Sequence, residues 1–273
     1  MHSVKKNVII KADPMGSKTK KETNTMKLTF FGTSHGHPEK GRFCTSVYFE
    51  HKGNGFFIDA GAPIIYLLKQ RGIPYDSIKA LFITHMHGDH TAELPTIANS
   101  LWYHKEIDHW DIYLPDEKAI PALDAWTGAQ YNGGGVTNNK YIKPHVTTEG
   151  QIYDEYGIRV TAIPTAHVNN GARPSFAYMI ETDDGKRVLF TGDLAYDFHD
   201  FPEVAKKEYF DLIVSELVHL APDKAAEILK DVNTRLLIFS HLGASNVKKL
   251  EEHNIRFNFP HIVAKDGFEY YVI

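Results

Sequence analysis

Residues 80–90 read Ala80-Leu81-Phe82-Ile83-Thr84-His85-Met86-His87-Gly88-Asp89-His90. The first five are apolar or β-branched, the composition of a buried strand. The next six hold four side chains that bind metals: His85, His87, Asp89 and His90. Where a chain leaves a strand end, such side chains can converge on a small volume, and imidazole with carboxylate suits zinc, iron or manganese. The bland alternative is a polar turn with chance histidines. Three later positions weigh against it. His167 follows an apolar run at 158–163, Asp193 follows one at 187–190, and His241 follows one at 236–240. All can therefore meet along one sheet edge. Together they make seven candidate ligands, enough for two metal ions with open positions.

Outward from this stretch, strands are expected over 26–31, 45–50, 55–59, 80–84, 111–114, 151–153, 158–163, 176–181, 187–190, 212–215, 236–240 and 268–272. Apolar spacing with one buried face predicts helices over 62–71, 91–104, 117–127, 222–231 and 245–253. The segment 132–139, with Gly133-Gly134-Gly135, reads as a loop. This order predicts an α/β single domain over 26–273, two sheets covered by helices on the outside, preceded by a polar N-terminal tail at 1–25.

The chain has 273 residues, 42% hydrophobic and 23% charged, ordinary values for a globular protein. Its net charge of −4 is unevenly placed. The tail carries six Lys and two acids, while the remainder has 24 basic and 32 acidic residues. An acidic body is a poor surface for long nucleic acid. No run is long enough to cross a membrane, and the N-terminus lacks the pattern of a secretory signal. The single cysteine, Cys44, rules out an internal disulfide and is expected to pack as a small apolar residue. The expectation is a cytoplasmic protein without membrane partners, with monomer and homodimer both open.

With these residues in view, the sequence resembles the metallo-β-lactamase superfamily over almost all of 26–273. Phe57-Ile58-Asp59-Ala60-Gly61 is similar to the first family motif, His85–His90 to the second, and His167, Asp193 and His241 to the third, fourth and fifth. The resemblance implies an αββα sandwich with the metals at one edge. It implies that His85, His87 and His167 hold one ion and Asp89, His90 and His241 the other. Asp193 would bridge them, and Asp59 would steady the ligand loop without binding metal. Within the superfamily, the ribonuclease Z-like, phosphodiesterase-like branch is the nearest look. Thr91-Ala92-Glu93-Leu94-Pro95 after the second motif resembles it, as do the opening Gly32-Thr33-Ser34-His35-Gly36-His37-Pro38 leading to Arg42 and the stretch Asp111-Ile112-Tyr113-Leu114-Pro115. Two departures stand against tRNA maturation. Only 26 positions separate His167 from Asp193, too few for a tRNA-gripping arm there, and the branch's His-Ser-Thr motif keeps only its histidine, His219.

The expected activity is that of a dinuclear metal-dependent hydrolase with two divalent ions, zinc first and manganese or iron as alternatives. Its metal-bound hydroxide would attack a small phosphodiester, a cyclic nucleotide or a short RNA end. Asp89 is a catalytic candidate that orients the nucleophile. His219 is the candidate general acid, with Glu216 as its orienter or as the alternative proton donor. The alternatives are a carboxylic ester, thioester or lactone hydrolase on the same fold, and a non-catalytic, metal-stabilised scaffold that binds a nucleotide or a partner. His35 and His37 mimic ligand spacing but are assigned to the rim. Of Trp102, Tyr103, Trp110, Trp126 and Tyr131, most are expected in the core, with one or two lining a pocket for a ring-bearing substrate.

Overall fold

The computed structural model describes residues 25–104, 107–130, 135–252 and 255–273. Six consecutive strands come first in the chain: β1 (Lys27–Gly32), β2 (Ser46–His51), β3 (Asn54–Ile58), β4 (Ile78–Phe82), β5 (Trp110–Leu114) and β6 (Ile142–Val146). The last strand of the chain, β14 (Glu269–Tyr271), pairs antiparallel with β1, giving a sheet in the order β14-β1-β2-β3-β4-β5-β6. The second sheet holds β7 (Gly150–Glu155), β8 (Ile158–Pro164), β9 (Phe176–Thr182), β10 (Arg187–Phe190), β11 (Leu212–Ser215), β12 (Leu237–Phe239) and β13 (His261–Val263), in the order β13-β12-β11-β10-β9-β8-β7.

Strand periodicity explains why two sheets pack face to face. In β1 to β4, Phe30, Val47, Phe49, Phe56, Ile58, Ala80 and Phe82 point inward and meet Tyr178, Ile180, Val188, Phe190, Val214 and Ile238 from the other sheet. The alternate residues Phe31, Tyr48, Phe57, Leu81 and Ile83 point outward, under α1 (Ile64–Arg71), α3 (Leu94–Tyr103) and α4 (Ala119–Gly128). On the second sheet, Leu189, Ile213, Leu237 and Phe239 take the outer face, under α5 (Val204–Lys207), α6 (Pro222–Ile228) and α7 (Ala244–Glu252). Central strands buried on both faces carry near-continuous apolar runs, which is why they were legible. Truncating one of the buried inner phenylalanines to Ala would cost about 3–5 kcal/mol.

The differences from expectation are local. The helix expected over 91–104 is two pieces, α2 (Gly88–Thr91) and α3, because Pro95 sits in the first turn of α3 and starts a new helix. Asp89 and His90 therefore lie in a helical turn. β6 and β13 were not expected. Each ends its sheet, where polar side chains and even Pro144 are tolerated, so their apolar signal is weak. Within the expected loop at 132–139, residues 136–138 form a 3₁₀ turn, while 131–134 lie outside the described residues, as do 1–24 of the tail and the end of the last helix at 253. Trp110 is fully buried and Cys44 is buried, as expected; Trp102 is half-buried, Tyr103 and Trp126 are exposed and Tyr131 lies outside the described residues, so fewer of these aromatics are in the core than expected. Among the described residues, no helix is long and apolar enough to cross a membrane.

Candidate metal centre

The site forms where strands of both sheets end on the same side. Beyond β4 come His85 and His87, and α2 then carries Asp89 and His90. Beyond β8 comes His167, beyond β10 Asp193, and beyond β12 His241. Strand ends release side chains from the ladder while the strands themselves stay rigid, so residues far apart in sequence are held close together.

The distances divide the set into overlapping groups. His85 Nε2 lies 2.9 Å from His87 Nδ1, which lies 3.2 Å from His167 Nε2. Asp89 Oδ2 lies 3.6 Å from His90 Nε2 and 3.7 Å from His241 Nε2. Asp193 stands between the groups: its Oδ2 is 3.8 Å from His85, 3.6 Å from His167 and 3.1 Å from His241, and its Oδ1 is 3.4 Å from His90. Within each of the triads His85–His87–His167, His85–His90–Asp193 and Asp89–His90–His241, one ligand atom per residue lies within 4.8 Å of the others.

Asp59 stands behind this set. Its Oδ1 accepts the backbone N–H of Thr84 at 2.8 Å and the Thr84 hydroxyl at 3.0 Å, and its Oδ2 lies 2.8 Å from His90 Nδ1. That bond fixes the His90 tautomer and turns Nε2 toward Asp193. Asp59 and His241 both have left-handed backbone, with φ of 62° and 52°. Such strain in non-glycine residues persists where surrounding structure over-determines it. Gly61 is needed for another reason: a Cβ there would sit 1.8 Å from the backbone oxygen of Asp89. The first motif thus packs directly under the ligand helix.

His219, beyond β11, joins the cluster from the other side. Its Nδ1 lies 2.8 Å from Glu216 Oε1 and 4.0 Å from Asp193 Oδ2, and its ring centre is 4.6 Å from that of His167. His35 stands edge-on to His241 with ring centres 6.1 Å apart, at the rim.

The electrostatics suit cations. Burial and neighbouring imidazoles hold His85 well below the usual histidine range, keeping it in the neutral form that ligates. Burial opposes charge on His90 too, but the Asp193 and Asp59 carboxylates outweigh it and hold that ring well above the range. Asp59, Asp89 and Asp193 are all buried, and among the described residues their ion pairs are with imidazoles alone. His90 Nε2 and Asp193 Oδ1 are buried without a hydrogen-bond partner. Buried carboxylates facing imidazole nitrogens, with no Lys or Arg to neutralise them, fit divalent metal ions.

Three contributors were not read from the sequence. The Gly36 N–H donates to Asp89 Oδ2 at 2.6 Å, a backbone contact with no side-chain signature. Asp200 accepts the Ala166 N–H at 2.6 Å and the Ala195 N–H at 3.0 Å, tying the loop that bears His167 to the one that bears Asp193. In sequence it is one of several polar residues in Tyr196-Asp197-Phe198-His199-Asp200. Tyr196 itself stands against His219, with ring centres 5.2 Å apart.

The chain shares its sequence and fold with known proteins. A ribonuclease Z of Methanothermobacter thermautotrophicus is 30% identical over 142 residues, which cover 52% of this chain and 45% of that protein. The chain thus spans about half the length of such a relative. Among solved structures, the metallo-β-lactamase fold protein YhfI from Bacillus subtilis superposes with a TM-score of 0.72 at 21% identity, covering 91% of this chain and all of that one. A diphosphatase of the PhnP family superposes with a TM-score of 0.67 at 17% identity, covering 90% and 97%. These likenesses establish the αββα metallo-β-lactamase fold. The family described as "Anti-Pycsar protein Apyc1" matches residues 26–236, most of the chain, and it is to this family, within the ribonuclease Z-like branch of the metallo-β-lactamase superfamily, that the protein belongs.

Proposed function

We propose that this chain is a dinuclear metal-dependent phosphodiesterase that cleaves a small phosphodiester, a cyclic nucleotide or a short RNA end. The observation that carries this reading is the meeting of seven His and Asp side chains from separate strand ends with His219, which is anchored through Nδ1 by Glu216. His85, His87 and His167 would hold one ion, Asp89, His90 and His241 the other, and Asp193 would bridge. Zinc suits this donor set best, with manganese or iron as alternatives. Two such ions supply Lewis acidity, acidify water and neutralise charge on phosphoryl oxygens.

The rest of the chemistry belongs to the chain. Asp89, held through Oδ2 by the Gly36 N–H, orients the attacking water at its other oxygen. His219 gives the proton at Nε2 to the departing oxygen, because its Nδ1 is committed to Glu216. An alkoxide such as a ribose oxygen leaves poorly without that proton, so a general acid beside the cluster favours phosphodiesters over activated esters. The relative named ribonuclease Z and the neighbour named a diphosphatase support phosphorus–oxygen cleavage. A small substrate is favoured over precursor tRNA. Only β9 and β10 lie between the His167 and Asp193 loops, and the described body is acidic.

The test is a panel on metal-loaded protein: bis(p-nitrophenyl) phosphate, 3′,5′- and 2′,3′-cyclic nucleotides, a thioester, a lactone and a tRNA precursor. Turnover of one or more small phosphodiesters, well above that of the thioester and lactone, is expected. Preference for the thioester or lactone would overturn the substrate class, and accurate trimming of the precursor would overturn the size argument.

A further inference from the structure

Tyr196 is 74% exposed, although it lies only three residues beyond Asp193 and its ring packs nearly perpendicular to His219, at 87° and 5.2 Å between centres. At that exposure, at least one face of the ring is open to solvent. The ring is nevertheless carried on a pinned turn. The Leu194 N–H donates to Glu216 at 2.7 Å, the Leu194 carbonyl lies 3.0 Å from His167 Nδ1, and the Ala195 N–H donates to both oxygens of Asp200. A large exposed aromatic on a fixed backbone, packed against the candidate general acid His219, is a pre-organised flat surface beside the His/Asp cluster.

We propose that Tyr196 is the stacking platform for the substrate's nucleobase, an inference that rests on the phosphodiesterase reading and narrows it to nucleotides. Bases stack on aromatic faces whatever their identity, so this platform selects for the presence of a base and discriminates little among bases. The phenol hydroxyl has no part in it. Phe at this position should therefore serve as well as Tyr, whereas Ala should not.

The experiment is calorimetric titration of metal-loaded protein with AMP and with ribose 5-phosphate, which has the same phosphate and sugar but no base. Wild type and Tyr196→Phe should bind AMP more tightly than ribose 5-phosphate. Tyr196→Ala should weaken AMP binding by about 5- to 140-fold, the range for loss of one stacked base, and leave ribose 5-phosphate unmoved. The KM for a nucleoside phosphodiester should rise with the same pattern across the three proteins. Equal weakening of both ligands would mean that Tyr196 acts through His219 or the backbone, and would overturn the proposal. So would AMP binding that is unchanged in Tyr196→Ala, or that is lost equally in Tyr196→Phe. If Tyr196-dependent AMP binding is found but no phosphodiester is cleaved, the platform stands and the hydrolytic reading falls.

Discussion

Glu216 Oε1 lies 2.8 Å from Nδ1 of His219, and the same carboxylate accepts the backbone N–H groups of Leu194, Val218 and His219 at 2.7–3.0 Å. A carboxylate held by three amides cannot swing away, so the imidazole is fixed in tautomer and direction. Burial works against charge on His219, but the hydrogen bond and charge of Glu216 outweigh it and raise its pKa above the ordinary value. Glu216 thus favours the protonated ring, the form a proton donor needs.

His219→Ala is expected to slow cleavage of an alkyl or nucleoside phosphodiester by about 10²–10⁴-fold, and that of a p-nitrophenyl ester far less, because p-nitrophenolate leaves without a proton. Steady-state kcat/KM on both substrates, with metal content measured alongside, checks this. Equal losses on both would assign His219 to binding or structure. Glu216→Gln should show the same substrate pattern at smaller size, since it leaves the ring in place.

Metal analysis of protein purified without chelator should return close to two divalent ions per chain. Chelation should abolish phosphodiester cleavage, and zinc, manganese or iron should restore it. Full activity in protein stripped of metal would remove the basis of the mechanism.

Asp193→Asn and Asp59→Asn test the proposal that Asp193 bridges two ions while Asp59 only supports a ligand. An amide is a weak bridge between two cations, so Asp193→Asn should lose most activity and part of the bound metal while the fold survives. Asp59→Asn should cost about 10–100-fold, the usual scale for a residue that orients a ligand from behind. Circular dichroism, metal content and kcat on the best substrate test the pair, and a wild-type kcat in Asp193→Asn would show the ligand assignment to be wrong.

Two glycines near the ligand motif should behave oppositely. A Cβ at Gly61 would fall 1.8 Å from the Asp89 carbonyl oxygen and 2.8 Å from the Cys44 side chain, whereas one at Gly88 would meet nothing within 4 Å. Gly61→Ala should destabilise the fold by about 1–3 kcal/mol and displace α2, lowering metal content. Gly88→Ala should stay within about 0.5 kcal/mol of wild type. Thermal unfolding of the two variants decides the matter, and comparable Tm losses would contradict the close packing of Gly61 against Asp89.

Strands buried on both faces could be read from the sequence, since their apolar runs are the direct mark of a two-sided core, and so could the candidate ligand positions, each of which follows such a run. The resemblance to a known superfamily supplied the layer order and the grouping of the ligands. The edge strands β6 and β13 were hidden because nearly all of their side chains are exposed or only half-buried, which leaves no apolar run. Asp200, the Gly36 amide and Tyr196 were hidden for a different reason. Their roles depend on which loop lies beside which, and a carboxylate that caps two backbone amides reads in sequence like any solvated acid. Local composition records what a residue must be buried against. Only the packing of one strand end beside another decides what a polar side chain faces, because hydrogen bonds and ring contacts act over a few ångströms in space and have no fixed period along the chain.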